Sequence, residues 1–131
     1  DNLYFRIDPN MELFSSPDAE PITFVTAILE PVSWRIKVKI SPGKKGVKTL
    51  QLYREIDNGA WANAFSLKSA AYDRILEFAA PFRIIGLKPG MVARIQVIVQ
   101  NRSREVERCP AGVPIRLVIP DEDFEQSLWM V

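Results

Sequence analysis

The chain has 131 residues, of which 47% are hydrophobic and 25% charged, and its formal net charge is +1. This is the size of one domain with a core of its own, and the near-neutral charge argues against a nucleic-acid binder. The sequence has no histidine. That excludes a Ser-His-Asp triad, a Cys-His pair and a histidine-ligated metal, and it leaves only carboxylates, Lys, Tyr and one Cys for enzyme chemistry. With no paired-acid geometry that the sequence can place, we expect no catalysis, no cofactor and no metal.

The N-terminal part of the chain predicts two strands of different kinds. In the opening residues, the apolar Leu3, Phe5 and Ile7 alternate with more polar neighbours, as in a strand with one face in the core. The segment Ile22–Glu30 is rich in Ile, Val, Thr and Phe and lies between two prolines. That composition predicts a strand that is buried on both faces or placed centrally in its sheet.

The clearest alternation in the sequence runs from Trp34 to Ile40, where apolar and basic residues strictly alternate. The pattern is typical of an antiparallel strand with one face in the core and one in water. It predicts that Trp34 is a core residue and that Arg35 and Lys37 point outward. After a Pro-Gly turn, a further strand is predicted over Val47–Ile56.

An Asn-Gly dipeptide at positions 58 and 59 predicts a two-residue type I′ hairpin turn. Such a turn pairs Ile56 with Trp61 and, further from the turn, Leu52 with Phe65. We predict that Leu52 and Ile56 face inward. Because directly paired residues share a face, we predict that Trp61 lies in the core. The alternative is a displayed tryptophan that stacks on a sugar ring.

The second half of the chain predicts more short strands and little helix. The strands are Tyr72–Ala80, Met91–Asn101, Glu105–Cys109 and Ile115–Ile119, and short helical turns are predicted over Phe82–Leu87 and Asp121–Leu128. Many short strands separated by Pro, Gly and Asn turns predict an all-β fold. We expect one domain over residues 1–131, an antiparallel β-sandwich of jelly-roll or immunoglobulin-like character.

The candidate binding residues are Arg35, Lys37, Gln51 and Tyr53, with Thr49 beside them. If the strands Trp34–Ile40 and Val47–Ile56 pair, these side chains lie together on the outer face. Planar polar groups and hydroxyls beside a tyrosine offer the donors and acceptors that carbohydrate hydroxyls need. The alternative is an ordinary solvated sheet face.

Two other features of the sequence are weaker candidates for a functional site. The acidic cluster formed by Asp121, Glu122, Asp123 and Glu125 could supply paired carboxylates for glycosidic acid–base work. However, its members are sequence neighbours at a predicted helical turn, which favours helix capping. The single cysteine, Cys109, excludes an internal disulfide and fits a reducing compartment, and we interpret it as a passive small residue.

Two stretches resemble strands of non-catalytic β-sandwich modules. The opening run from Asn2 to Asp8 is one of them. The other runs from Ile75 to Met91, where a strand ends in Glu-x-x-x-Pro-aromatic and Gly-Leu and Pro-Gly precede the next strand. Family 9 carbohydrate-binding modules and DOMON-like sandwiches share this pattern.

The C-terminal part resembles a narrower family, the C-terminal tail of family 57 glycoside hydrolases. The matching stretches are Glu105–Pro110, Pro114-Ile115, Ile119–Glu125 and Trp129-x-Val131. The resemblance implies a cytoplasmic accessory domain at the C-terminus of a longer, α-glucan-acting chain, amylase-like or branching-enzyme-like. No position here matches the catalytic carboxylates of that family.

The resemblance implies two partners, an α-glucan and the catalytic domain of the same parent chain. The near-neutral charge argues against nucleic acid, and the lack of an apolar run of about 20 residues argues against a membrane. An interaction or structural module without sugar affinity is the alternative, because a β fold does not by itself fix a function.

Overall fold

A computed structural model describes residues 2–8, 20–30, 33–41, 44–56, 59–102 and 104–120. Within these ranges 69% of the residues are in strands and 5% in helix, which confirms the predicted all-β class. The strands are β1 Asn2–Ile7, β2 Ile22–Glu30, β3 Trp34–Ile40, β4 Gly46–Glu55, β5 Trp61–Tyr72, β6 Leu76–Pro81, β7 Val92–Asn101, β8 Arg104–Cys109 and β9 Ile115–Val118. The helix α1 spans Phe82–Ile85.

These strands form one antiparallel sheet in the order β1-β6-β5-β4-β3-β2-β7-β8, and β9 also pairs with β7. The sheet curls like half of a barrel. The predicted sandwich, with its jelly-roll or immunoglobulin-like connections, is not confirmed, because a single hydrogen-bonded ladder joins the described strands. Strand twist accumulates from neighbour to neighbour, which is what allows such a ladder to curl.

The core lies inside the curl, and it follows the predicted alternation. Trp34 is 4% exposed and the other inward residues of β3 are fully buried, so the prediction of a core Trp34 is confirmed. On β4, Leu50 and Leu52 are fully buried beside them. Burying each such side chain contributes about 1.5–3 kcal/mol to stability.

One predicted strand is divided. Residues 72–80 were expected to form a single strand, but β5 ends at Tyr72 and β6 begins at Leu76. The bend at residues 73–75 lets β6 fold back antiparallel to β5. The predicted helical turn after Pro81 is confirmed as α1, which ends at Gly86 in the left-handed conformation at φ 72° that glycine adopts without strain.

The pairing of β4 with β5 contains an irregularity that changes the orientation of Trp61. Leu52 pairs with Phe65, as predicted, but the next residue, Tyr53, pairs with Asn63. Ala64 is therefore an extra residue on β5 at a β-bulge.

Beyond the bulge, Trp61 pairs with Glu55 and not with Ile56. A shift of one residue turns a side chain to the opposite face of a sheet. The prediction that Trp61 is a core residue is therefore wrong, since it lies half-buried on the outer face. The inward orientation predicted for Ile56 is also wrong, since that side chain is 51% exposed.

At the other end of the sheet, β8 and β9 behave as one interrupted strand. Both run antiparallel to β7, β8 along its second half and β9 along its first half. The interruption, residues 110–114, lies opposite Gln96, whose side chain is buried. Its amide nitrogen Nε2 donates hydrogen bonds to the carbonyl oxygens of Pro110 at 2.7 Å and Gly112 at 3.4 Å. Gln96 therefore ties the loop to the sheet.

The acidic cluster at 121–125, the helical turn predicted over Asp121–Leu128 and the tail residues 129–131 lie outside the described residues.

Candidate functional site

Pairing of β3 with β4 brings the predicted binding residues together. Arg35 lies opposite Tyr53, and Lys37 lies opposite Gln51. All four side chains are on the outer face, because they alternate with the buried residues of the same strands. Thr49 lies beyond the paired segment and is exposed. The strand geometry on which the site prediction depended is therefore present.

Direct contacts position three of these side chains against one another. The Lys37 ammonium nitrogen Nζ lies 4.6 Å from the centroid of the Tyr53 ring, within the range of a cation–π interaction. The Tyr53 hydroxyl donates a hydrogen bond to Oε1 of Gln51 at 3.1 Å. A cation, an aromatic ring and an amide thus form a small ordered group on the sheet.

Trp61 is the member of this site that the sequence did not predict. The guanidinium carbon Cζ of Arg35 lies 4.3 Å from the centroid of the Trp61 ring. We define the outer patch as Arg35, Lys37, Gln51, Tyr53 and Trp61. It contains two aromatic rings, two cations and one amide, and strands β3, β4 and β5 hold it.

A cavity of 240 Å³ adjoins the outer patch. Arg35 and Trp61 belong to its lining, and Glu55 adds a carboxylate. Ala27, which is buried, and Ile98 contribute apolar surface from β2 and β7. The cavity therefore combines an apolar part with charged and aromatic side chains.

Arg108 closes the cavity on the β8 side and is held in place by two neighbours. Its Nη2 and Nε atoms contact the Glu105 carboxylate at 2.5 Å and 3.2 Å. Its Nη1 atom donates a hydrogen bond to Oε1 of Gln96 at 3.3 Å. Such a two-pronged contact with a carboxylate fixes the plane of the guanidinium group.

The ion pair changes the acidity of both groups. The hydrogen bond from Arg108, together with its charge, lowers the pKa of Glu105 below 4.5. The same contacts raise the pKa of Arg108. Both side chains remain charged over the neutral pH range, so the charge on the β8 side of the cavity is constant in that range.

The chemistry available at this face is that of binding. Aromatic rings stack on flat apolar surfaces, while guanidinium, ammonium and amide groups exchange hydrogen bonds with hydroxyls or carbonyls. In the described part of the chain, no three His, Cys, Asp or Glu side chains are grouped so that they could hold a metal ion.

No protein-family model, curated protein or solved structure matches the chain. Function is therefore inferred from the outer face itself. Within the described ranges, no helix has the length and apolar character needed to span a membrane.

Proposed function

We propose that this chain is a non-catalytic accessory domain of a cytoplasmic, α-glucan-acting glycoside hydrolase, and that it binds glucan through the outer patch. The observation that carries the proposal is the pair of aromatic rings, Trp61 and Tyr53, set among hydrogen-bonding cations. A β-sandwich arrangement remains part of this proposal, as does packing of the domain on the catalytic domain of its parent chain.

The aromatic rings supply the apolar half of such a site. A pyranose ring has an apolar face of axial C–H groups, which an aromatic ring covers. Trp61 and Tyr53 are both partly exposed and lie on neighbouring strands, β5 and β4. Two platforms on adjacent strands suit a polymer better than a single sugar, because successive residues of a glucan can occupy both.

The polar half comes from side chains whose geometry is already restricted. Arg35 lies over the Trp61 ring and Lys37 over the Tyr53 ring. Gln51 accepts a hydrogen bond from the Tyr53 hydroxyl. Groups held before binding lose less conformational freedom when a ligand arrives. Their donors and acceptors face the same surface as the rings, as hydroxyl recognition requires.

The volume of the adjoining cavity limits the size of the ligand group that it can hold. Its volume of 240 Å³ is below the range of about 300–1,000 Å³ that is typical of sites for drug-sized ligands. We propose that it holds one sugar ring, at the end of a chain or at a branch, while the polymer lies across the outer patch.

Native electrophoresis in gels that contain glycogen or amylopectin tests this proposal. We expect the protein to migrate more slowly than in a polysaccharide-free gel. Tyr53→Ala and Trp61→Ala should each remove most of the retardation, because each deletes one platform.

Tyr4→Ala is the matched control, since Tyr4 is 73% exposed on β1 and does not belong to the outer patch. It should leave the retardation unchanged. A wild-type protein that ignores both polysaccharides, with a mass that rises with concentration, would contradict the glucan proposal and favour a protein-interaction module.

A further inference from the structure

A second cleft lies on the inner side of the curled sheet, between its two ends. It has a volume of 530 Å³, and β1 forms one wall while β7, β8 and β9 form the other. Its lining is mostly apolar. Its lining includes Phe5, Ile7, Asp8, Glu107, Ile115 and Leu117.

Both walls of this cleft are edges of the sheet. In the described ladder, β1 pairs with β6 alone, and β8 and β9 pair with β7 alone. Alternate backbone N–H and C=O groups of an edge strand point away from the sheet, and they form a template for another strand. The cleft therefore offers backbone hydrogen bonds beside an apolar surface.

The dimensions and pattern of β1 suit an extended peptide. Its six residues span about 20 Å, at about 3.3 Å per residue. Phe5 and Ile7 face the cleft on this strand and Leu117 faces it from β9. Because successive side chains of a strand point to opposite faces, such a surface accepts every second side chain of an incoming strand.

The charges at the cleft indicate what the other side chains should be. The Arg6 guanidinium is paired with Glu77 on β6, at 4.0 Å between Nε and Oε1. Asp8 and Glu107 also line the cleft, one on each wall, and no ion pair among the described residues involves either. Its uncompensated charges are therefore negative and favour a basic partner.

We propose that this cleft binds an extended segment of another protein, which adds to β1 as a further strand. The segment has apolar residues at alternate positions, which enter the cleft, and it carries lysine or arginine, whose charge is opposite to that of Asp8 and Glu107. The inference is independent of the glucan proposal, since no residue of the outer patch lines this cleft.

A labelled seven-residue peptide of sequence Lys-Val-Thr-Val-Lys-Val-Thr provides the probe, and fluorescence anisotropy with the full chain measures its binding. We expect saturable binding. A peptide with the same side chains but N-methylated at alternate backbone nitrogens should bind at least about tenfold more weakly, because it cannot donate to the edge of β1. Equal binding of both peptides would overturn strand addition, and no saturable binding would overturn the site.

Ile115→Lys locates the site on the protein. This side chain is 57% exposed, so the substitution should leave the fold intact while it places a cation in the cleft. We expect peptide affinity to fall at least about tenfold. Val113→Lys is the matched control, because Val113 is 82% exposed two residues away and does not line the cleft. Equal losses in the two variants would overturn the assignment.

Glu107→Lys tests the charge requirement. Glu107 is exposed on β8, and reversing its charge should weaken peptide binding several-fold at low salt, with less effect at high salt. A salt-independent loss, or none, would overturn the assignment of basic residues to the partner. Thermal unfolding of each variant confirms that the protein is folded.

Discussion

Trp34, on β3, and Trp61, on β5, lie on opposite faces of the sheet, and their surroundings differ in kind. Trp34 is 4% exposed in the core, with the Phe65 ring 6.5 Å away between centroids. Trp61 is half-buried, and the side chain that covers it is the charged Arg35. The inner face excludes water with packed apolar groups. The outer face is covered by long polar side chains whose ends remain hydrated.

The two faces of the sheet therefore differ in what their side chains contribute. Packed apolar groups have no better arrangement available, so the inner face contributes stability and tolerates little change. The polar side chains of the outer face keep their ends in water, so their donors and acceptors remain accessible to a ligand. The core and the outer patch are therefore separated by the thickness of one sheet.

The largest effect is expected from Trp34→Ala. Removing a buried tryptophan should lower the free energy of unfolding by about 3–5 kcal/mol, because the cavity left in the core cannot be refilled. Urea unfolding followed by circular dichroism measures the change. Val47→Ala, at a 69% exposed position on β4, should have little effect, and a similar loss at both sites would contradict the distinction between the two faces.

The next largest loss of stability is expected when a polar contact of the outer face is removed. Gln96→Leu should lower stability by about 1–3 kcal/mol, since it leaves the Pro110 carbonyl without its donor. Gln100→Leu is the control, because Gln100 lies on the same face of the same strand and is less buried. If both variants lose equal stability in urea unfolding, the hydrogen bonds from Gln96 to the 110–114 loop do not contribute to the stability of the fold.

A smaller effect is expected from Trp61→Ala. It should cost about 1 kcal/mol, the value of an exposed cation–π contact with some burial. A double-mutant cycle with Arg35→Ala isolates the contact from the burial. Additive losses would show that the two side chains do not interact, and a loss as large as that of Trp34→Ala would place Trp61 in the core.

The smallest effect depends on pH. The pKa of Glu105 is lowered in the folded protein, so its pairing with Arg108 stabilises the fold above the ordinary value of 4.5. That stabilisation is lost as the pH falls through the lowered folded-state pKa. We expect Glu105→Gln to lower the melting temperature slightly at neutral pH, and the difference from wild type to vanish in acid.

Glu107→Gln, on the same strand, is the control and should lower the melting temperature less at neutral pH, because no ion pair among the described residues involves Glu107. High salt should reduce the effect of Glu105→Gln, because both members of the pair are exposed. A difference that persists unchanged into acid would show that the ion pair is not its cause.

Local patterns in the sequence predicted much of this structure. Strict alternation located β3 and oriented its residues, and the outward positions of β3 and β4 predicted that Arg35 and Tyr53 lie together. These inferences succeeded because a strand has a period of two and the short turn between the strands makes them neighbours.

Other features depend on contacts that no local pattern encodes. The bulge at Ala64 reversed the orientation of Trp61, and its faint signal is the run Ala-Asn-Ala at 62–64, where small residues interrupt the alternation. The pairing of β2 with β7 and of β1 with β6 joins segments distant in sequence. These distant pairings join the strands into one curled sheet. The sequence therefore indicated the all-β class but not the arrangement of the strands in a half-barrel.

The position of Cys109 has a practical consequence. It is the single cysteine of the chain, its thiol is free and exposed, and it lies in the wall of the inner cleft. A thiol-reactive fluorophore would therefore attach to the unmodified protein at one defined position. Changes in its emission would report directly on whatever enters the space between β1 and β9, without an engineered attachment site.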